Sequence, residues 1–197
     1  MKWKTVRQAR DTLAAEVGTI VKDWGGKLPV ALVYPNSYYV GMSSLGLQTL
    51  YRIFNARLDV VAERVFWSPP QAPYSVESQG RLPDFSVLAV TLSFELDLLH
   101  LIEMLRQSGM PVLAGERSED APFVLAGGPV PTANPELLAP IIDAAFIGEA
   151  EELEQRGAGG EPGQEVAGTA ASEDGIAGPA AEHRADVGEI GRASCRE

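Results

Sequence analysis

The sequence is poorest in the residues that most often announce chemistry. It has one cysteine, Cys195, and two histidines in 197 residues. A single thiol excludes an intramolecular disulfide. It also excludes an iron–sulfur cluster held by three or four thiolates of this chain. Basic residues are scarce, with 16 Lys and Arg against 27 Asp and Glu and a net charge of −11. Such a field repels phosphate backbones, so direct nucleic-acid binding is not expected. No apolar run approaches the roughly 18 residues that suggest a membrane span. The first residues, MKWKTVRQARDTLAAE, lack the apolar core of a secretory signal. A cytoplasmic location is therefore expected. Neither GxGxxG nor a P-loop occurs, so a nucleotide signature is missing.

What is present divides into unlike parts. Phe146 is the last aromatic, and the 45 residues from Leu153 onward hold nine Gly, nine Ala and five Leu, Ile or Val. No helical or strand period runs through them. Residues 153–189 read as a disordered linker or as an out-of-frame segment of a GC-rich gene. The final IGRASCRE, residues 190–197, reads as a translated sequencing adapter.

Residues 28–152 carry the pattern of a folded domain. LPVALVYP, from Leu28, is an apolar run ended by turn residues and suits a strand buried on both faces. A helix is expected from Ser43 or Ser44 to Asn55, with Leu47, Leu50, Tyr51 and Phe54 on one side. DVVAERVFW and FSVLAVTLS give two further strands. FELDLLHLIEMLRQSGMP gives a helix with Leu98, Leu101, Ile102 and Leu105 as its stripe and Gly109 as its stop. PFVLAGG and AAFIGEAEE supply two more strands, with a short helix capped by Asn134 between them. Residues 1–27 are expected to hold a covering helix with Leu13, Val17, Val21 and Trp24 on one face. This alternation predicts an α/β, Rossmann-like, doubly wound and mainly parallel sheet.

In such a sheet ligands sit beyond the carboxyl ends of the strands. The segments 34–46, 93–95, 127–131 and 148–149 are expected there. The run YPNSYYVGMSSLG within them combines aromatics with small residues. Tyr34, Asn36, Ser37, Met42, Ser43, Gly46, Ser93, Gly127 and Gly128 are the candidate lining. Gly127 and Gly128 suit either close backbone approach to a cofactor or a turn that requires glycine. Asn134 would offer an anion the start of its helix. His100 is placed opposite the apolar stripe and should face solvent as a bystander. Glu95 and Asp97 suit a helix start better than an acid–base pair, and a free-standing hydrolase using them is the weakest alternative.

KDWGG, VALVYPNSYYVGMSSLGLQTLYRIFN, ERVF, DFSVLAVTLSFELD and LAGGPVPTANPELLAPIIDAAFIGEAEE occur in that order between residues 22 and 152. Together they resemble the N-terminal region of a family of cobalamin-domain radical SAM proteins. The resemblance implies a cobalamin-binding-type domain that precedes a barrel. The barrel's CxxxCxxC motif would hold a 4Fe-4S cluster that cleaves S-adenosylmethionine. This sequence has no CxxxCxxC, so cluster and S-adenosylmethionine belong to a missing downstream domain, and the chain is expected to be a fragment that is inactive by itself. It also lacks the DxHxxG loop that supplies histidine to cobalt, so cobalamin is expected to bind, if at all, without a protein imidazole. The alternative is a degenerate domain that docks the barrel or a substrate macromolecule.

Overall fold

The computed structural model describes residues 3–148. The expectations for residues 149–197 lie outside that range.

Among the described residues, five strands form one all-parallel sheet in the order β2-β1-β3-β4-β5. They are β1 (Leu28–Tyr34), β2 (Val60–Phe66), β3 (Val87–Thr91), β4 (Phe123–Gly127) and β5 (Ala144–Ala145). The chain moves from β1 to one side for β2, then crosses back to the other side for β3. This is the doubly wound arrangement whose switch point lies between β1 and β3. Alternation along β1 explains the two layers. Ala31 and Val33 face one core with Leu101, Met104 and Leu105, and Val30, Leu32 and Tyr34 face the other with Leu47 and Tyr51.

The helices are α1 (Trp3–Ala15), α2 (Tyr38–Met42), α3 (Leu45–Ala56), α4 (Asp97–Gln107) and α5 (Pro129–Ala133). Ser44 caps α3 as expected, its hydroxyl accepting from the Leu47 amide at 3.3 Å. α4 stops at Gly109, whose φ is +75°. The Met110 amide donates back to the Leu105 carbonyl and the Gly109 amide to the Arg106 carbonyl. That pair of bonds is the Schellman closure, which favours glycine at its left-handed position.

Two expectations are corrected. α1 ends at Ala15, and residues 16–24 run without helix, leaving Val17 and Val21 exposed. Their backbone is held by side chains instead. The Tyr51 hydroxyl accepts from the Ile20 amide and donates to the Ile20 carbonyl, both at 2.9 Å. The Lys22 ammonium reaches the carbonyls of Asn55, Arg57 and Val60. Trp24 alone of the expected apolar face packs on the core, against Phe85.

The second correction concerns Asn134. Its side chain caps nothing, and Pro135–Leu137 is a single 3-10 turn. Prolines 129, 131 and 135 fix φ and remove amide donors, which limits the stretch to single turns. The expected anion-binding helix start is therefore missing.

β2 is an edge strand, yet every residue in it is buried. A return segment covers it: the Val76 amide donates to the Arg64 carbonyl, and the Arg64 amide to Glu77. This protects the row of unpaired backbone groups that an open edge would present.

Candidate functional site

Parallel strands place the connections after β1, β2, β3, β4 and β5 at one edge, the edge where a doubly wound sheet receives its ligand. At the switch point the structure shows a set of linked side chains. The Tyr34 hydroxyl, at the end of β1, donates to the Ser93 hydroxyl, just beyond β3, at 3.0 Å. Asn36 donates from Nδ2 to Asp97 Oδ1 at 2.9 Å, and its Oδ1 accepts from the Ser37 amide. Asp97 is buried in the first turn of α4, and its second oxygen accepts from the Phe94 amide at 3.2 Å. The Trp67 amide donates to the Asn36 carbonyl, tying the exits of β1 and β2 together.

His100 completes the set. Its Nδ1 lies 2.8 Å from the Pro35 carbonyl oxygen. A carbonyl only accepts, so Nδ1 is the nitrogen that carries a proton toward Pro35. The Trp67 ring stacks on the imidazole, with centroids 5.1 Å apart and planes 16° apart. Asp97 Oδ1 lies 3.9 Å from Nδ1. His100 is therefore part-buried and hydrogen-bonded rather than turned fully to solvent. The expected stripe was centred on Leu98 and Ile102, which are half-buried. The buried face of α4 is Asp97, Leu101, Met104 and Leu105. Rotating the wheel to that centre brings His100 to its flank, facing the β1 exit.

The other expected residues scatter. Gly128 adjoins the site at the β4 exit, where its φ is +104° and a β-carbon would lie 2.8 Å from the Leu92 carbonyl oxygen. The turn requires glycine there. At Gly127 a β-carbon would meet Phe146 at an ordinary 3.8 Å. Ser37 is exposed before α2. The Ser43 hydroxyl donates to the Tyr39 and Val40 carbonyls. Met42 turns away, its sulfur 3.2 Å from Arg64 Nη1. Gly46 opens α3 with free space beside it.

Sequence reasoning did not place Asp97, His100 or Trp67 in this hydrogen-bonded and stacked set, nor Gly41 under Phe66. Asp97 and His100 stand three apart on one helix, a spacing that brings side chains together and offered a legible signal. Gly41 is buried in α2, and a β-carbon there would run into the Phe66 ring. Glu95 is exposed while Asp97 is buried and hydrogen-bonded, so the two carboxylates share different surroundings.

A second charged cluster anchors α1 and α2 over β2. Arg64 pairs with Glu77 through Nε and with Glu16 through Nη2, both at 2.7 Å, and lies over the Tyr51 ring. Tyr38 donates to Glu16 at 2.6 Å. Burial and this bond to a carboxylate push the Tyr38 phenol up to about 12. A recess of about 620 Å³ beside the cluster is lined by Arg7, Asp11, Thr12, Ala15, Glu16, Tyr38 and Tyr39.

Among the described residues no group of three His, Cys, Asp or Glu is arranged to hold a metal ion. Among them, too, no helix is long and apolar enough to cross a membrane.

The sheet order defines a doubly wound, Rossmann-like α/β domain. The family model for radical SAM proteins, N-terminal, matches residues 46–158. That is more than half of the 197 residues, and the chain belongs to this family. No curated protein and no solved structure matches the chain.

Proposed function

We propose that this chain is the cofactor-binding-type N-terminal domain of a radical SAM enzyme, presenting the carboxyl edge of its sheet to cobalamin and to the downstream barrel. One observation carries the reading. The polar constellation at the switch point lies on the same edge as apolar side chains left in solvent on the β3–α4 connection and in the first turn of α4. Phe94, Leu96 and Leu99 are 56%, 70% and 61% exposed. A surface that is apolar at its rim and hydrogen-bonded at its centre suits a large flat ligand or a protein partner.

The residues fit a corrinoid by donor chemistry. His100 offers a lone pair on an oriented ring, and Asn36 and Ser93 offer polar groups beside it. Bound there, cobalamin would supply a cobalt-centred methyl or electron carrier. This chain's residues would bind and orient it. The catalytic step, the cluster and S-adenosylmethionine belong to the barrel, because one cysteine cannot ligate the cluster.

The docking reading is favoured by a different observation. The gap between β1 and β3 is bridged by the Tyr34–Ser93 bond, which leaves the apolar rim as the accessible feature. Titration of the chain with hydroxocobalamin, followed by absorbance and calorimetry, separates the readings. Retention of cobalamin supports the cofactor domain. No binding at high micromolar cobalamin by well-folded protein rejects it and leaves the barrel-docking surface.

A further inference from the structure

α1 lies outside both hydrophobic cores: among the described residues, neither core holds one of its side chains. Space remains on both of its flanks. On one side the recess of about 620 Å³ is lined by Arg7, Asp11 and Ala15 of α1 and by Tyr38 and Tyr39 of α2. On the other, a recess of about 120 Å³ is lined by Ala9 of α1 and by Phe66, Pro73, Tyr74 and Ser75 at and after the exit of β2. Thr12 and Tyr38 line both recesses and stand between them. A helix bordered by unfilled space forfeits part of the close contact that fixes a core element.

A latch stands at the C-terminal end of α1. Glu16, the next residue, accepts from Arg64 Nη2 at 2.7 Å, from the Tyr38 hydroxyl at 2.6 Å and from the Thr19 hydroxyl at 2.9 Å. Val17 and Gly18 follow. Val17 is fully exposed, and Gly18 takes φ +87° with open space where a β-carbon would be. Beyond them the Ile20 backbone is clamped by the Tyr51 hydroxyl, and Lys22 is held by the carbonyls of Asn55, Arg57 and Val60. A short exposed step with a glycine, set between a latch and a fixed point, has the form of a hinge.

We infer that α1 is a hinged cover. It turns about Val17 and Gly18, is held closed by Glu16 on Arg64 and Tyr38, and when open uncovers the aromatic wall of Tyr38, Phe66 and Tyr74. Phe66 ends β2, so the cover governs access to the β2 side of the carboxyl edge. The latch also ties the cover to that edge, because Tyr38 begins α2 two residues after Asn36, whose side chain bonds Asp97. This role is separate from the cofactor and docking readings and holds whichever of them is right.

Native-state hydrogen exchange of the full chain in sub-denaturing urea is the first test. Amides of α1 should exchange through an opening that depends little on urea, while those of β1 and β3 follow the steeper dependence of global unfolding. Exchange of α1 with the rate and slope of the sheet would overturn the cover, because α1 would then belong to the same cooperative unit. Thiol labelling reads the surface beneath. Ser75 lines the smaller recess and is 1% exposed, so Ser75→Cys, made together with Cys195→Ser, should label slowly. Adding Glu16→Gln should speed that labelling, relative to exchange of the β1 and β3 amides, by about ten- to a hundredfold, the scale of losing a hydrogen bond to a charged group. Labelling that Glu16→Gln leaves unchanged on that relative scale would show that the latch does not guard this surface. Immediate labelling with Glu16 intact would show that α1 covers nothing.

Discussion

Gly128 lies directly against Leu92: the position of its missing β-carbon is 2.8 Å from the Leu92 carbonyl oxygen. This contact joins the exits of β3 and β4. The Leu92 amide donates to the Gly127 carbonyl, and the Val130 amide returns to the Leu92 carbonyl. The backbone at Gly128, φ 104° and ψ −171°, is a region essentially reserved for glycine.

Gly128→Ala should therefore destabilise the domain by roughly 1–3 kcal/mol from strain, with the clash adding to it. Gly46→Ala should not. Gly46 sits in the first turn of α3, and the nearest atom to an added β-carbon is Ser44 Oγ at 4.0 Å. Replacing a compatible helical glycine stabilises by about 0.4–1 kcal/mol. Urea unfolding of the two variants should move in opposite directions. Equal losses would show that α3 begins differently.

The sheet was legible because parallel strands buried on both faces read as continuous apolar runs, as in Leu28–Tyr34. The α4 stop was legible because Gly109 must adopt a left-handed backbone. The edge was legible only in part. Tyr34, Asn36 and Ser93 could be placed there because strand ends converge at the switch point. His100 was misplaced because Leu98 and Ile102 are apolar yet only half-buried, while the true stripe includes the polar Asp97. Hydropathy alone cannot distinguish a buried carboxylate from a solvated one. Residues 16–24 escaped for a related reason: their spacing suits a helix, but long-range bonds from Tyr51 and Lys22 decide their conformation.

Asp97 gives the second prediction. Replacing it by Ala leaves the Asn36 amide and the Phe94 amide without their acceptor at a part-buried position. The loss should be about 1 kcal/mol, below the full cost of burying an unmet group because water reaches these donors. Glu95→Ala, on an exposed side chain two residues away, should stay within about 0.5 kcal/mol. Hydrogen exchange should show the loss in Asp97→Ala first at the start of α4. Matching midpoints for the two variants would mean that Asp97 does no more than decorate a helix start.

Acid should release the anchor of α1, though only below the ordinary carboxylate range. Burial alone would raise the Glu16 carboxyl, but hydrogen bonds from Tyr38, Arg64 and Thr19 outweigh it and hold the group below its ordinary 4.5. A carboxyl depressed in the folded state stabilises above its unfolded value and loses that contribution as pH falls through its folded value. The contacts Glu16 makes with Arg64 and Tyr38 should thus weaken progressively below about pH 4.5, the ordinary value. Limited acid proteolysis should cut between α1 and β1 more readily as the pH drops. Glu16→Gln should already be cut readily at neutral pH and show a flatter profile. A profile unchanged by Glu16→Gln would place the acid-sensitive contact elsewhere.

The proposed docking of the apolar rim on a downstream barrel gives the last prediction. Leu99 is 61% exposed on α4, one residue before His100, and Leu96 is 70% exposed at the start of the same helix. Neither is part of the buried face of α4, which is formed by Asp97, Leu101, Met104 and Leu105. Substituting an exposed side chain away from caps and cores changes stability by about 0.5 kcal/mol or less. Leu99→Glu should leave thermal unfolding nearly unchanged. At a desolvated contact with the barrel, the same charge would be buried without a partner, a change that costs several kcal/mol. Co-purification of this chain with the downstream barrel of the intact protein should therefore be lost in Leu99→Glu. It should persist in Arg106→Glu, a charge change in the last turn of α4, at the end away from the rim. Undiminished association of Leu99→Glu would remove the rim from the contact. Loss in both variants would point to net charge, already −11, as the determinant instead.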